Sequence, residues 1–262
     1  MSDILAEIIA HKRSAELPHL PPVDLPALAD LPRPKPFRAA LQRAPGRPIN
    51  VIAECKKGSP SRGIFVQNYD PVVMAFQYQF GGASCVSVLT DERFFFGHLD
   101  HLVRVVAETG MPAIRKDFII DPRQIAQARL AGASAILLIA ACLGDGELRD
   151  LQGFARDLHL DVLVEVHDAD EALRALKADA DLVGVNNRNL KTFAISLETT
   201  FDLLPGLLGG GRVVVSESGI AKREDCQRLE AAGVDAVLVG ESLMTANDPS
   251  SALRRLRGTL LL

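Results

Sequence analysis

AGASAILLI, running from Ala131 to Ile139, sets a glycine at a helix end immediately before an uninterrupted apolar run. Glycine supplies the left-handed backbone that closes a helix. A short run without polar alternation suits a strand buried on both faces. The arrangement returns as GGASCVSVL from Gly81 and AGVDAVLVG from Ala232, and in degenerate form as ADADLVGVN from Ala178. A recurring helix-end-to-strand element is an internal repeat, and its position before every second strand candidate suggests units built in pairs.

Strand candidates of this texture lie at 49–54, 84–89, 112–116, 135–139, 161–166, 181–186, 212–216 and 236–239. Helical periodicity fills the intervals, as at 71–80, 99–108, 122–130 and 223–232. Asp70, Asp121 and Asp248 each precede a proline, which pairs an N-cap acid with Pro at the first helical position. Asp168 and Glu171 have the spacing of a capping box. Apolar strands alternating with helices predict a parallel sheet covered on both faces, and eight in succession predict closure. The competing open, doubly wound sheet carries a G-x-G-x-x-G turn in its dinucleotide-binding form, and no such turn occurs here. The expected fold is therefore α/β: a (β/α)8 TIM barrel with an N-terminal helical extension.

The 262 residues match the usual length of about 250 for one such barrel. Residues 1–262 are expected to form a single barrel domain. Within it, 1–47 would supply an N-terminal helical extension and Pro-rich connector, and 48–262 eight β/α units. The extension opens with a helix bearing Ile4, Leu5, Ile8 and Ile9, runs through Pro18 to Pro36, and ends in a short helix at 37–43. Hydrophobic residues make up 48% and charged residues 24%, enough for a large core and too apolar for disorder. Lys and Arg number 29 against 33 Asp and Glu, a net charge of -4, so nucleic acid is not an expected partner. Cys55, Cys85, Cys142 and Cys226 form no C-x-x-C pair, which argues for reduced thiols. No signal-peptide core or bilayer-length apolar run is present, so a cytoplasmic chain without membrane partners is expected.

Barrel active sites lie at the C-terminal strand ends, and here those ends are rich in polar groups. The first strand ends in Glu54-Cys55-Lys56-Lys57 and the third in Arg115-Lys116-Asp117. The fifth carries Glu165, the sixth Asn186-Asn187-Arg188, and the seventh Ser216-Glu217-Ser218-Gly219. An ionisable group in an apolar strand is costly to bury unless paired. Five such strands on one rim point to a convergent site; any one alone would read as a strand end reaching solvent.

Ser218-Gly219-Ile220 after the seventh strand and Gly240-Glu241-Ser242 after the eighth stand where this fold usually holds phosphate. Each alone is an ordinary turn. The loop from Gly58 to Gly63 has the small residues of a mobile cover, or of a plain surface loop. Phe94, Phe95 and Phe96 cannot all be buried by one element, which leaves at least one to stack on a ligand or pack against loops. The six histidines show no metal spacing; His98 and His101 read as a solvated helix start.

IAECKKGSPSRG (52–63) resembles the first-strand motif of the indole-3-glycerol-phosphate synthases. So do IRKDFIID (114–121), LVEVHD (163–168), VGVNNRNL (183–190), VSESGI (215–220) and VGESLM (239–244). The resemblance covers nearly the whole chain in order, the N-terminal helix included. The sequence departs from the family pattern at Gly58, where some members have Lys, at Asn189, where an acid is common, and at Ser196, where Asp is frequent.

The resemblance implies closure of an indole ring: 1-(2-carboxyphenylamino)-1-deoxyribulose 5-phosphate loses CO2 and water to give indole-3-glycerol phosphate. Carried across by motif, Lys116 is the acid for ring closure and Glu165 the base. Lys56, paired with Glu54, holds the substrate carboxylate or serves as the dehydration acid. Asn186, Arg188 and Glu217 orient substrate and lysines. Ser59, Gly219, Gly240 and Glu241 hold phosphate, with Ser218 nearby, and Phe95, Phe118 and Pro60 sandwich the anthranilate ring. Neighbouring lysines are expected to lower each other's pKa, with the carboxylates opposing. The implied partner is this small phosphorylated substrate; no metal, cofactor or nucleic acid is implied, and a monomer is expected.

Two other readings compete. Phosphoribosylanthranilate isomerase shares the barrel and the phosphate site, but its chemistry wants a first-strand Cys or Asp base, and strand alternation turns Cys55 away from Glu54 and Lys56. A non-catalytic barrel that binds a phosphorylated ligand would leave Lys56, Lys116 and Glu165 without a purpose.

Overall fold

The computed structural model describes residues 4–60, 62–190 and 192–259. Eight parallel strands close into a barrel: β1 (Asn50–Cys55), β2 (Cys85–Leu89), β3 (Ala113–Lys116), β4 (Ala135–Ile139), β5 (Asp161–Val166), β6 (Leu182–Asn186), β7 (Val213–Glu217) and β8 (Ala236–Val239). β8 pairs with β1 from Asn50 opposite Ala236 to Ala53 opposite Val239, which leaves no free edge. Helices such as Pro71–Gly81, Pro122–Leu130 and Arg223–Ala232 follow successive strands.

The repeat is visible in the backbone. Gly82, Gly132 and Gly233 take φ of 86°, 81° and 100° where helices end, and Asp179 takes 57° at the degenerate copy. Asp is among the few side chains that tolerate this region, so the fourth copy works without glycine. Asp70, Asp121 and Asp248 each cap a helix that begins with proline. At Asp168 the capping box is only half made. Its carboxylate accepts from Glu171 N, but the Glu171 carboxylate reaches past it to the backbone N–H of His167.

Strand alternation divides the apolar residues into two cores. Outward positions such as Val51, Ala53, Cys55, Val86, Val164 and Val237 pack beneath the helices. Inward positions, among them Ile52, Ile114, Leu137, Leu163, Val215 and Leu238, fill the barrel itself. Phe37 and Leu41, on a short helix at Phe37–Leu41, join this inner core. Asn50 Nδ2 donates to the Leu41 carbonyl and Arg38 N donates to Asp161, so the helix sits across the strand starts and plugs that end. Each of these fully buried side chains stabilises by about 1.5–3 kcal/mol. With the N-terminal end filled, the cavity opens only at the C-terminal end.

The Pro-rich connector holds short turns and one short helix. It contains a 3-10 turn at Leu17–His19 and a short helix at Leu25–Ala29, whose N-cap Asp24 accepts from Ala27 N. No described helix is long and apolar enough to cross a membrane.

Candidate active site

A cavity of about 450 Å³ occupies the C-terminal mouth of the barrel, and all fifteen residues singled out by the sequence line it. The strands bring in Glu54, Lys116, Glu165, Asn186 and Glu217, and the loop after β1 brings in Lys56, Ser59 and Pro60. Phe95, Phe118, Arg188, Ser218, Gly219, Gly240 and Glu241 complete the set from loops and short helices. Ser61 of the loop after β1 lies outside the described residues. Cys55 points away, with its thiol near the Pro71 carbonyl in the outer core.

The charged groups form one linked cluster. Lys56 Nζ stands 2.6 Å from Glu54 Oε1. Lys116 Nζ stands 3.4 Å from Glu165 Oε2 and 3.9 Å from Glu217 Oε2. Asn186 Nδ2 donates to Glu165 Oε1 at 3.1 Å, and Asn186 Oδ1 accepts from Arg188 N. Glycines make room for the carboxylates. A Cβ on Gly240 would meet Glu54 Oε1 at 2.5 Å, and one on Gly184 would overlap Glu217 Oε1.

Carboxylates, not lysine–lysine repulsion, set the titration of this cluster. Burial works to lower the Lys116 pKa, but Glu165, Glu217 and Glu54 outweigh it and raise the value well above the ordinary lysine range. Of the two opposing influences expected on the lysines, that of the carboxylates prevails at Lys116, because three of them act on it. Burial raises Glu165, yet Lys116, His167 and Asn186 bring it far below the ordinary carboxylate range. Glu217 goes the other way: burial and the charge on Glu165 push its pKa up, and Lys116 only partly offsets them. Two like charges in one buried cluster oppose each other's ionisation, so the pair divides, with Glu165 the more acidic and Glu217 the less.

His167, one of the six histidines without metal spacing, is the third partner of Glu165. Its Nε2 stands 3.2 Å from Glu165 Oε1 and its Nδ1 2.9 Å from Glu171 Oε2. Burial lowers its pKa, but hydrogen bonds and charge from the two carboxylates prevail and raise it to about 10. The folded value exceeds the ordinary 6.5, so this contribution to stability is complete below pH 6.5 and disappears as pH rises through about 10. We expect the denaturation midpoint to fall more steeply across that window in the parent than in His167→Gln. Parallel pH curves for the two proteins would exclude the charged imidazole as the cause.

At the opposite end, Ser218 and Gly219 take φ of 67° and 81° in succession, and a four-residue helix follows Gly240. Asn187 secures this turn. Its Nδ2 donates to Ser216 Oγ and to the Glu217 and Ser218 carbonyls, while its Oδ1 accepts from Thr200 N and Oγ1. The Glu241 carboxylate pairs with Arg62, 2.9 Å away. Gly58 has a steric reason: a Cβ there would sit 2.5 Å from the Gly63 carbonyl and 2.8 Å from Phe96. Asn189 and Ser196 keep acceptor roles without charge, taking bonds from Thr192 N and Glu198 N.

Phe94 is buried, Phe96 is exposed, and Phe95 lines the cavity beside Phe118. The Phe95 and Phe118 centroids are 5.9 Å apart at 36°, so the two rings touch. A ring held between them would need roughly 7 Å, one van der Waals contact on each face. They make one aromatic wall, not two jaws. Ile4, Leu5 and Ile8 of the N-terminal helix, with Leu190, Phe193 and Ile195 after β6, complete the apolar lining. The spacing of Ile4, Leu5 and Ile8 marks an amphipathic helix, but nothing in it says which surface the helix covers. Among the described residues no group of three or more His, Cys, Asp or Glu is placed to hold a metal ion. His98 caps the helix Leu99–Thr109 by accepting from Asp100 N.

The family model for "Indole-3-glycerol phosphate synthase" matches residues 5–256. The chain belongs to the indole-3-glycerol phosphate synthase family. It is 53% identical over 206 residues to the synthase of Bordetella pertussis, covering 79% of this chain and 78% of that protein. It is 44% identical over 224 residues to that of Sulfurimonas denitrificans, covering 86% and 85%. Among solved structures, a 3-hexulose-6-phosphate synthase superposes with a TM-score of 0.64 at 15% identity, covering 81% of this chain and all of that one (100%). A mutant tryptophan synthase alpha-subunit from Pyrococcus furiosus gives 0.62 at 14%, covering 81% and 99%. At such identities these two share the fold only. The synthase family thus accounts for the barrel and for the motifs that line its mouth.

Proposed function

We propose that this chain closes the indole ring, converting 1-(2-carboxyphenylamino)-1-deoxyribulose 5-phosphate to indole-3-glycerol phosphate, CO2 and water. The observation that carries this reading is Lys116 standing between Glu165 and Glu217 in a cavity that also holds the Lys56–Glu54 pair. Attack of the aromatic carbon on the ketone puts negative charge on the carbonyl oxygen, and Lys116 donates a proton to it. The C–C bond to the carboxylate then breaks, and its electrons restore the aromatic ring as CO2 leaves. In the last step the new hydroxyl departs as water, protonated by Lys56 or Glu217. Glu165 takes a proton from the adjacent ring carbon.

Proton transfers are coupled through the cluster. While Lys116 is charged it keeps Glu165 a weak base. Once Lys116 has given up its proton, that restraint disappears and Glu165 becomes more basic. The acid step thus prepares the base for the dehydration.

Ser59, the turn at Ser218–Gly219 and the backbone of Gly240 and Glu241 hold the phosphate in this reading, with Arg188 and Asn186 on the sugar side. The anthranilate ring packs on the wall of Phe95 and Phe118, with Pro60 as a further contact. Residues 1–47 act as part of the same domain, and the protein works as a monomer on this one small substrate.

The parent assay is direct. The chain has no Trp, so indole fluorescence rises over a nearly dark background when the carboxyphenylamino substrate is added. Activity should survive chelation of metal ions. A protein that binds the substrate without any gain in indole fluorescence would end the catalytic reading. Isomerisation of phosphoribosylanthranilate in its place would favour the isomerase.

A further inference from the structure

We infer that Lys12, outside the reacting groups, is the positioning residue that holds the aromatic wall of the substrate cleft in place; this rests on the ring-closing function proposed above. Lys12 lies in a short π-helical turn directly after the helix Ile4–His11, and its side chain is only 1% exposed. Its ammonium stands 2.8 Å from Asp117 Oδ1 and 3.0 Å from Asp91 Oδ2. The half-exposed Glu16 supplies a third carboxylate at 2.8 Å.

Each of the two buried carboxylates accepts from the backbone beneath one ring of the wall. Asp117 Oδ1 accepts from Phe118 N at 2.8 Å. Asp91 Oδ1 accepts from Phe94 N at 2.7 Å and Phe95 N at 3.2 Å, capping the turn that carries Phe95. Phe95 and Phe118 are the touching pair that forms the wall. One buried cation therefore spans the ends of β2 and β3 and couples the backbones beneath both rings. Asp117 is balanced from its other side by Arg115, at 3.0 Å, and by the Thr90 hydroxyl, at 2.6 Å. Asp91 has no second cation among the described ion pairs, so loss of Lys12 weighs most on the Phe95 side.

The same lysine anchors the helix that brings Ile4, Leu5 and Ile8 to the cavity. Its pKa agrees with the geometry: burial lowers it, but Asp117 and Asp91 outweigh burial and raise it. The contact with Asp91 is an ion pair without a hydrogen bond to Oδ2, so in this desolvated site charge attraction holds the two groups together.

The test separates the ring end of the substrate from its phosphate end. Lys12→Met keeps the length of the side chain and removes the charge. It should lower kcat/KM on the order of 10–10²-fold, mainly through KM, the scale of a misplaced contact. Competitive inhibition by inorganic phosphate should stay unchanged, because the ion pairs of Lys12 go to Asp91, Asp117 and Glu16, which lie outside the loops proposed for phosphate. Lys12→Arg should recover part of the loss. Glu16→Gln should behave as the parent, since Glu16 supports neither aromatic residue. If Lys12→Met fails to fold, Asp91→Asn takes its place: the amide oxygen still caps Phe94 and Phe95 while the ion pair is lost, and the same rise in KM is expected. An unchanged kcat/KM in the folded variant, or phosphate inhibition weakened in parallel, overturns the inference. A parent that makes no indole product would instead remove the function on which it rests.

Discussion

Lys116→Ala should turn over substrate about 10²–10⁴-fold more slowly than the parent, the usual scale for a positioned acid. Lys116 is placed for this by strand register: it ends β3 beside Leu89 of β2, and its side chain rises into the mouth between Glu165 and Glu217. Its strongly raised pKa keeps it protonated through neutral pH, so the acid is present without any tuning by the second lysine. Alanine also strips Glu165 of the Lys116 charge, leaving that buried carboxylate to His167 and Asn186. Single-turnover fluorescence gives the chemical step apart from product release. A rate equal to the parent's would end the assignment of Lys116 as acid.

Glu165→Gln should fall in turnover by a similar factor, about 10²–10⁴-fold, while its KM stays close to the parent value. The change is nearly isosteric, but its hydrogen bonding is wrong on one side. Oε1 faces two donors, Asn186 Nδ2 and His167 Nε2, and would remain oxygen. The amide nitrogen must then face Lys116, itself a donor at 3.4 Å from the present Oε2. Part of the loss should therefore pass through displacement of Lys116. The double variant with Lys116→Ala should be much less than additive, because the two groups act as a unit. A variant that loses only affinity would make Glu165 a binding group.

Much of this was legible before any coordinates. The glycine helix ends before Cys85, Ala135 and Ala236 and the Asp-Pro helix starts are local signals, carried by backbone preferences that act within a few residues. They gave strand candidates whose limits agree with the barrel strands to within a residue, and three, 135–139, 161–166 and 236–239, coincide with them. Strand-end position then sufficed to bring the candidate residues to one cavity, because closure of the barrel forces every strand end onto the same rim. The capping box read at Asp168 and Glu171 formed only by half, because the Glu171 carboxylate bonds the backbone N–H of His167 and not that of Asp168.

What sequence alone determined, then, was the barrel, its family and the set of groups that meet at its mouth, since all of these follow from periodicity and from motifs of a few residues. Only tertiary structure decided the titration of the cluster, with Lys116 raised, Glu165 depressed and Glu217 raised, because these depend on burial and on distances between strands far apart in the chain. It also decided that Lys12, an ordinary-looking residue of an amphipathic helix, is buried against Asp91 and Asp117 at the ends of β2 and β3. Helical spacing says that a face is apolar; only packing says what it faces.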